Sequence, residues 1–195
     1  IKLFKKLFKI KEQLIEASKS LRQVLALKLL LGHMREFAPP DLQNNHATMS
    51  LPKSFSVKMD LYRLPMMLLQ GLALYYGFNE PSTLGRLEKL AAHKIINSEA
   101  AQQLRKAFLR ILDLRWRTQL FYGSEVENIH TSWQDTSAYQ VYPAETKVVK
   151  KILQRTVAFY QWMQKCFNRS PYEFNTLKHA NFAGQDPLTA ALLAE

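Results

Sequence analysis

The stretch that most restricts this chain is Ser98 to Tyr122, SEAAQQLRKAFLRILDLRWRTQLFY. Read as a helix at about 100° per residue, it places Leu104, Ala107, Phe108, Ile111, Leu112, Leu114, Trp116, Leu120 and Phe121 over a wide arc. Glu99, Lys106, Arg110, Asp113 and Arg117 are left in a narrow polar strip. A helix of that kind needs neighbours on several sides, so it is expected at the centre of a bundle. Arg115 interrupts the apolar arc, with Gln119 one turn further on. A guanidinium in that position must be paired, because burying an unpaired charge is prohibitive.

The rest of the sequence agrees with a helical class. Only 6 glycines and 8 prolines occur in 195 residues, mostly between apolar-periodic runs, which disfavours a turn-rich β architecture. The expected fold is all-α, a bundle of about five to six helices with a four-helix core. Residues 1–50 read as a basic amphipathic helix and loop that could end an upstream domain, 51–170 as the bundle, and 171–195 as an exit segment. Cys166 is the single cysteine, which excludes an internal disulfide and a cysteine metal cluster and suits a reducing compartment. No apolar run reaches the roughly 20 residues needed to span a bilayer. The chain begins at Ile1, so it reads as an excised fragment.

Residues 1–37 form one long helical pattern or two in tandem, with Leu3, Phe4, Leu7, Ile10, Leu14, Ala17, Leu21, Val24 and Leu25 at helical spacing. Residues 1–11 carry five lysines and no acid, a large share of the net charge of +11. Alternation of Leu/Phe with Lys is the composition of a helix that meets a membrane surface or a partner, which makes Lys2, Lys5, Lys6 and Lys9 candidate contacts. The competing reading is a helix packed on this domain or on an upstream one, with its lysines in water. Pro39 and Pro40 stop the pattern. The segment 41–56 reads as a loop in which His46 is a solvated histidine.

Pro65 suits the first turn of a helix running to about Tyr76, expected to be wholly buried and closed by Gly77. Ser82 is a candidate N-cap for a short helix ending near Ile96, and Asn97 or Ser98 for the central one, which Gly123 ends. Residues 125–142 are a polar connection of uncertain structure. A last helix after Pro143 has Val148, Val149, Ile152, Thr156, Phe159, Tyr160, Met163 and Phe167 on one face.

Catalytic signatures are missing: there is no phosphate-binding glycine loop, dinucleotide fingerprint, zincin pair or nucleophile elbow. His33, His46, His93, His130 and His179 are scattered, none at ligand spacing from another. The string Gly123-Ser124-Glu125-Val126-Glu127 superficially matches the Gly-Ser and paired carboxylates of nucleotidyltransferases. In those enzymes a helix separates the two parts and a strand carries the acids, whereas here they adjoin directly after a helix.

From Phe55 to Gly123 the ordered set Lys58-Met-Asp-Leu-Tyr-Arg-Leu-Pro65, Leu72-Ala-Leu-Tyr-Tyr-Gly77, Ser82-Thr-Leu-Gly-Arg-Leu87, Ala101 to Ala107, and Leu114-Arg115 to Gln119-Leu-Phe-Tyr-Gly123 resembles a known family. It is the nucleotidyltransferase substrate-binding domain, the helical module that follows the catalytic domain in relatives of the PII uridylyltransferases. The resemblance implies a four-helix-type bundle beside an upstream catalytic domain in the same chain, helping to hold an acceptor substrate, with a protein acceptor as a candidate. It implies no catalytic residue and no cofactor in this segment; Mg²⁺ and NTP would belong upstream. The family often has Gly before the first proline where this chain has Asp60-Leu-Tyr-Arg63, a variant more like those of large multidomain bacterial proteins.

Lys58, Arg63, Arg86 and Arg115 are the candidates for contact with an anionic substrate. Each has a structural alternative. Lys58 and Arg63 can be solvated, Arg86 can pair with Glu88 or Asp60, and Arg115 can hold a buried carboxylate that sets helix register. Function is therefore read as a non-catalytic accessory domain of a larger nucleotidyltransferase-like bacterial protein. The alternative is a helical interaction module of a bacterial effector that engages a protein or membrane through its basic first helix. The corresponding locations are the bacterial cytoplasm and, for an effector, the host cytosol. Nucleic acid is not an expected partner, because the charge is spread over several helices without arginines and exposed aromatics gathered on one face.

Overall fold

The computed structural model describes residues 2–38, 51–131 and 137–168. Its elements are α1 (Lys2–Glu36), β1 (Ser54–Ser56), a π-helix (Val57–Tyr62), α2 (Arg63–Tyr76), α3 (Thr83–Ala92), α4 (Ser98–Tyr122), β2 (Asn128–His130), β3 (Tyr139–Gln140) and α5 (Pro143–Asn168). The fold is mostly helical, as the periodicity predicts, with five α-helices among the described residues and one small sheet. Pro39, Pro40, His46, His179 and residues 171–195 lie outside the described residues.

Local chemistry sets the helix ends where the sequence marks them. Asn97 Oδ1 accepts from the Ala100 amide at 2.7 Å, and Ser82 Oγ accepts from the Gly85 amide at 3.0 Å, so α4 and α3 start on side-chain caps. Gly77 takes a left-handed conformation (φ 78°), which lets its amide reach Leu74 and the Phe78 amide reach Ala73. α3 stops at Ala92, earlier than the expected Ile96. Lys94 turns left-handed (φ 57°), and the turn folds Ile95 and Ile96 back into the core, where both are buried.

The core has two lobes, and α4 and α5 run through both. The first gathers Leu30 and Met34 of α1, Leu68, Leu69 and Leu72 of α2, Leu87 and Leu90 of α3, Leu104 and Phe108 of α4, and Phe159 and Met163 of α5. The second gathers Phe55, Val57 and Leu61 with Ile111 and Leu114 of α4, Ile129, Val141, and Val149 and Ile152 of α5. Half-buried Tyr62 packs against both lobes, its ring edge-on to Phe108 at 6.1 Å.

Residues 125–142, which carry no helix or strand signal of their own, supply two strands. β1 pairs antiparallel with β2, Phe55 opposite Ile129, and β2 pairs in parallel with β3, Ile129 beside Tyr139. Just after β1 the chain enters the π-helix, capped where Ser56 Oγ accepts from the Met59 amide. The Arg63 amide donates back to the Lys58 carbonyl, five residues earlier, before the ladder tightens into α2. Pro65 falls in the first turn of α2, where its missing amide is tolerated.

Burial departs from the sequence reading in three helices. α4 is not enclosed over its whole arc, for Leu112, Trp116, Leu120 and Phe121 are all exposed. α2 is not wholly buried, since Leu74 is exposed and Met66, Met67, Tyr75 and Tyr76 are half-buried. In α1 the residues that pack are Ala26, Leu30 and Met34, while Leu14, Leu21, Val24 and Leu25 face solvent. Facing explains most of this last case: at about 100° per residue, Leu21, Val24 and Leu25 lie roughly opposite Ala26, Leu30 and Met34.

α1 and α2 approach closely at Gly71, where an added Cβ would lie 2.8 Å from Leu30 Cδ1 and 3.0 Å from its Cβ. Gly71→Ala is expected to destabilise the fold by about 1 kcal/mol, overpacking of roughly 2 kcal/mol outweighing a helix-propensity gain of roughly 1 kcal/mol. Gly32→Ala, in the same helix pair but with open space around the new methyl, is expected to stabilise by up to about 1 kcal/mol. Urea unfolding of both variants decides it; two equal gains would remove the close approach.

Candidate functional site

The sequence demands a partner for Arg115, and the structure supplies it from the polar connection after α4. Arg115 Nε donates to Glu127 Oε2 and Nη2 to Oε1, both at 2.7 Å, a two-pronged ion pair. Gln119 Nε2 adds a third donor to Glu127 Oε1 at 2.7 Å. The Glu127 side chain is only 3 % exposed, so these donors replace its water. Its carbonyl accepts from the Val57 amide at 2.9 Å, which ties the first residue of the π-helix to the same acid. Hydrogen bonding to Glu127 holds the Arg115 guanidinium above its ordinary pKa against the opposing effect of burial. The guanidinium also lies over the Tyr62 ring, 4.6 Å from its centre. This is the register role given as the structural alternative for Arg115.

A second clamp lies two residues on, and sequence reasoning missed it. Arg117 pairs with Glu145 at the start of α5 and with Asp113 Oδ2 at 3.1 Å. Burial works against the Arg117 charge, yet the Glu145 hydrogen bond and neighbouring acids raise its pKa. Glu145 Oε2 also accepts from the Tyr142 amide, the acid of a helix-capping arrangement. Pro143 followed two residues later by Glu145 was the available signal. Tyr122 closes the group: its hydroxyl donates to the Asn128 carbonyl at 3.0 Å and accepts from the Tyr139 amide at 2.9 Å.

The other predicted cations are not gathered with Arg115 into one cluster. Lys58 is exposed on the π-helix. Arg63, half-buried, sits 4.4 Å over the Phe37 ring at the end of α1, with Nη1 3.4 Å from Met59 Sδ. Arg86 donates from Nε to the Glu80 carbonyl at 2.7 Å and pairs with neither Glu88 nor Asp60. Asp60 instead accepts from the Ser56 amide at 2.7 Å, and Glu88 lies 3.9 Å from Arg105. Lys2, Lys5, Lys6 and Lys9 fall in α1, and their side chains lie outside the described residues.

Of the Gly-Ser-Glu-Val-Glu string, Gly123 is the left-handed cap of α4 (φ 61°) and Glu127 is taken up by Arg115 and Gln119. Among the described residues no three His, Cys, Asp or Glu side chains come together as a metal site. A family model described as "Putative nucleotidyltransferase substrate binding domain" matches residues 19–166. No curated protein and no solved structure matches the chain.

The double hydrogen bond to a buried acid makes Arg115→Ala costly. About 3 kcal/mol is expected, the low end of the range for a broken buried pair because the arginine is itself 21 % exposed. Replacing both partners, Arg115→Leu with Glu127→Leu, is expected to lose clearly less than the two single changes summed. Chemical unfolding of the four proteins closes the cycle, and strictly additive losses would mean that the pair is not coupled.

Proposed function

Because the chain belongs to the family described as putative nucleotidyltransferase substrate binding domains, we propose that it is the non-catalytic, substrate-side module of a larger nucleotidyltransferase-like protein. The observation that carries this reading is the extent of the match. Residues 19–166 take in the packed half of α1, all of α2 to α4, both clamps and α5 as far as Cys166. In this reading the Mg²⁺ ion and the NTP belong to a catalytic domain upstream in the same chain, and an acceptor, with a protein as the candidate, rests on the helical module.

The surroundings of each cation support a choice among the candidates. Arg115 is engaged by Glu127 through Nε and Nη2 and by the Tyr62 ring, and Arg86 is turned onto the Glu80 carbonyl. Lys58, exposed, and Arg63, with its guanidinium face on Phe37, remain at the start of α2 for an anionic group. The π-helix that carries Lys58 is anchored at both ends, by Glu127 at Val57 and by Arg63 at Lys58. A rigid presentation of that kind lowers the entropy cost of holding a ligand.

Two measurements test this. The purified chain with Mg²⁺ and each labelled NTP in turn should transfer no nucleotide to itself or to added protein, and transfer would overturn the non-catalytic reading. With ATP as an anionic probe, Lys58→Ala combined with Arg63→Ala should weaken binding by about tenfold, the effect of one lost charge-assisted hydrogen bond or more. Arg86→Ala should leave it unchanged. Loss on Arg86→Ala alone would move the contact to α3.

A further inference from the structure

α1 has two faces, and only one of them is used by the bundle. Ala26, Leu30 and Met34, four residues apart, are buried, and the Tyr160 hydroxyl donates to the Met34 carbonyl at 3.1 Å. On the other side Leu14, Leu21, Val24 and Leu25 are 58–66 % exposed, far more than isolated surface leucines that happen to be half covered. Among the side chains described between residues 12 and 22, none is buried. At about 100° per residue the exposed set lies roughly opposite the packed set, so the bundle does not obstruct an approach to it.

The sequence carries the same apolar spacing to the start of the helix. Leu3, Leu7, Ile10, Leu14, Ala17, Leu21 and Val24 follow one another in alternating steps of four and three. The same stretch carries Lys2, Lys5, Lys6, Lys9 and Lys11. In that register Lys6 and Lys11 flank the stripe, whereas Lys2, Lys5 and Lys9 fall at positions away from it. A single partner helix reads only the seam and its flanks, which leaves three lysines unanswered. A second copy of the chain would bring like charge to like charge, in a protein of net charge +11. A plane of negative charge attracts all five, since its field extends over about 10 Å.

We propose that α1 docks on an anionic lipid surface, lying in the plane of the headgroups with Leu14, Leu21, Val24 and the stripe N-terminal to them in the apolar boundary. The bundle then stands on the water side, carried by Ala26, Leu30 and Met34. No helix among the described residues is long and apolar enough to cross a membrane, so the contact is made along the surface. This inference is independent of the acceptor-binding reading.

The test sediments the 195-residue chain with vesicles of phosphatidylcholine alone and of phosphatidylcholine mixed with phosphatidylglycerol. Partition onto the anionic vesicles should be about tenfold higher or more and should fall with added salt. Leu14→Gln/Leu21→Gln/Val24→Gln changes exposed positions only, so its circular dichroism and melting should match the parent while its vesicle binding drops by about tenfold or more. Lys2→Gln/Lys5→Gln/Lys9→Gln should show a comparable drop. Binding that survives the triple Gln change at the apolar positions overturns the proposal, because charge alone would then account for it. So do equal partition onto neutral vesicles, a dimer in sedimentation velocity that the same change abolishes without any vesicle binding, and tighter capture by an acidic amphipathic peptide than by the vesicles.

Discussion

The buried carboxylate of Glu127 is the interaction on which the second half of this molecule depends. Three N–H donors from α4 converge on it, and its own carbonyl receives the Val57 amide that opens the π-helix. One residue therefore joins three pieces of chain distant in sequence: the central helix, the connection that follows it, and the approach to α2. A carboxylate so placed cannot be left without its donors, since the penalty for an unpaired buried charge exceeds the net worth of most single contacts. That asymmetry makes the pair a device for register more than a source of stability. It admits one alignment of α4 against β2 and penalises the neighbouring ones.

Tyr62 carries that alignment into the other lobe of the core. Its ring takes the Arg115 guanidinium on one side and meets Phe108 edge-on, while Arg63, the next residue, reaches Phe37 at the end of α1. Two successive residues at the change from π to α spacing thus serve opposite directions. The wider turn is what provides this, because inserting the extra residue rotates the side chains that follow by about a third of a turn relative to a continuous α-helix. Two kinds of cation separate at this point: Arg115 is paired within the frame, and Lys58 stands exposed on the element that the frame adjoins.

Much of this was legible in the residues, and the parts that were not share a cause. Arg115 is visible as a charge within an apolar arc, and physics requires it to be paired. The identity of the pair is not visible, because Glu127 lies in a stretch without periodicity and the strands that position it are three residues long or fewer. Caps at Asn97, Ser82, Gly77 and Gly123 are read directly, since they rest on local hydrogen bonds and φ values. Cover is another matter. An apolar stripe states which side of a helix avoids water, and it says nothing of which element arrives to cover it. α4 was read as enclosed because of Trp116, Leu120 and Phe121, all of which lie open, and α1 packs through residues that its more conspicuous leucine stripe had hidden.

The open stripe on α1 and the paired cation on α4 together divide the charge of this protein by what surrounds each group. An arginine paired two-pronged with a buried acid has its charge largely offset at close range, so it draws an anionic ligand less than an unpaired cation does. The lysines at the start of α1 stand in a stretch of sequence that holds no acid to offset them. The excess of basic residues therefore does not describe one electropositive surface. It resolves into a set spent on fixing the bundle, a small set at the start of α2 suited to an anionic group of molecular size, and a linear set along α1 suited to an extended surface. Sorting the cations by their partners, and not by their number, is what separates a ligand contact from a surface contact in a helical module of this kind.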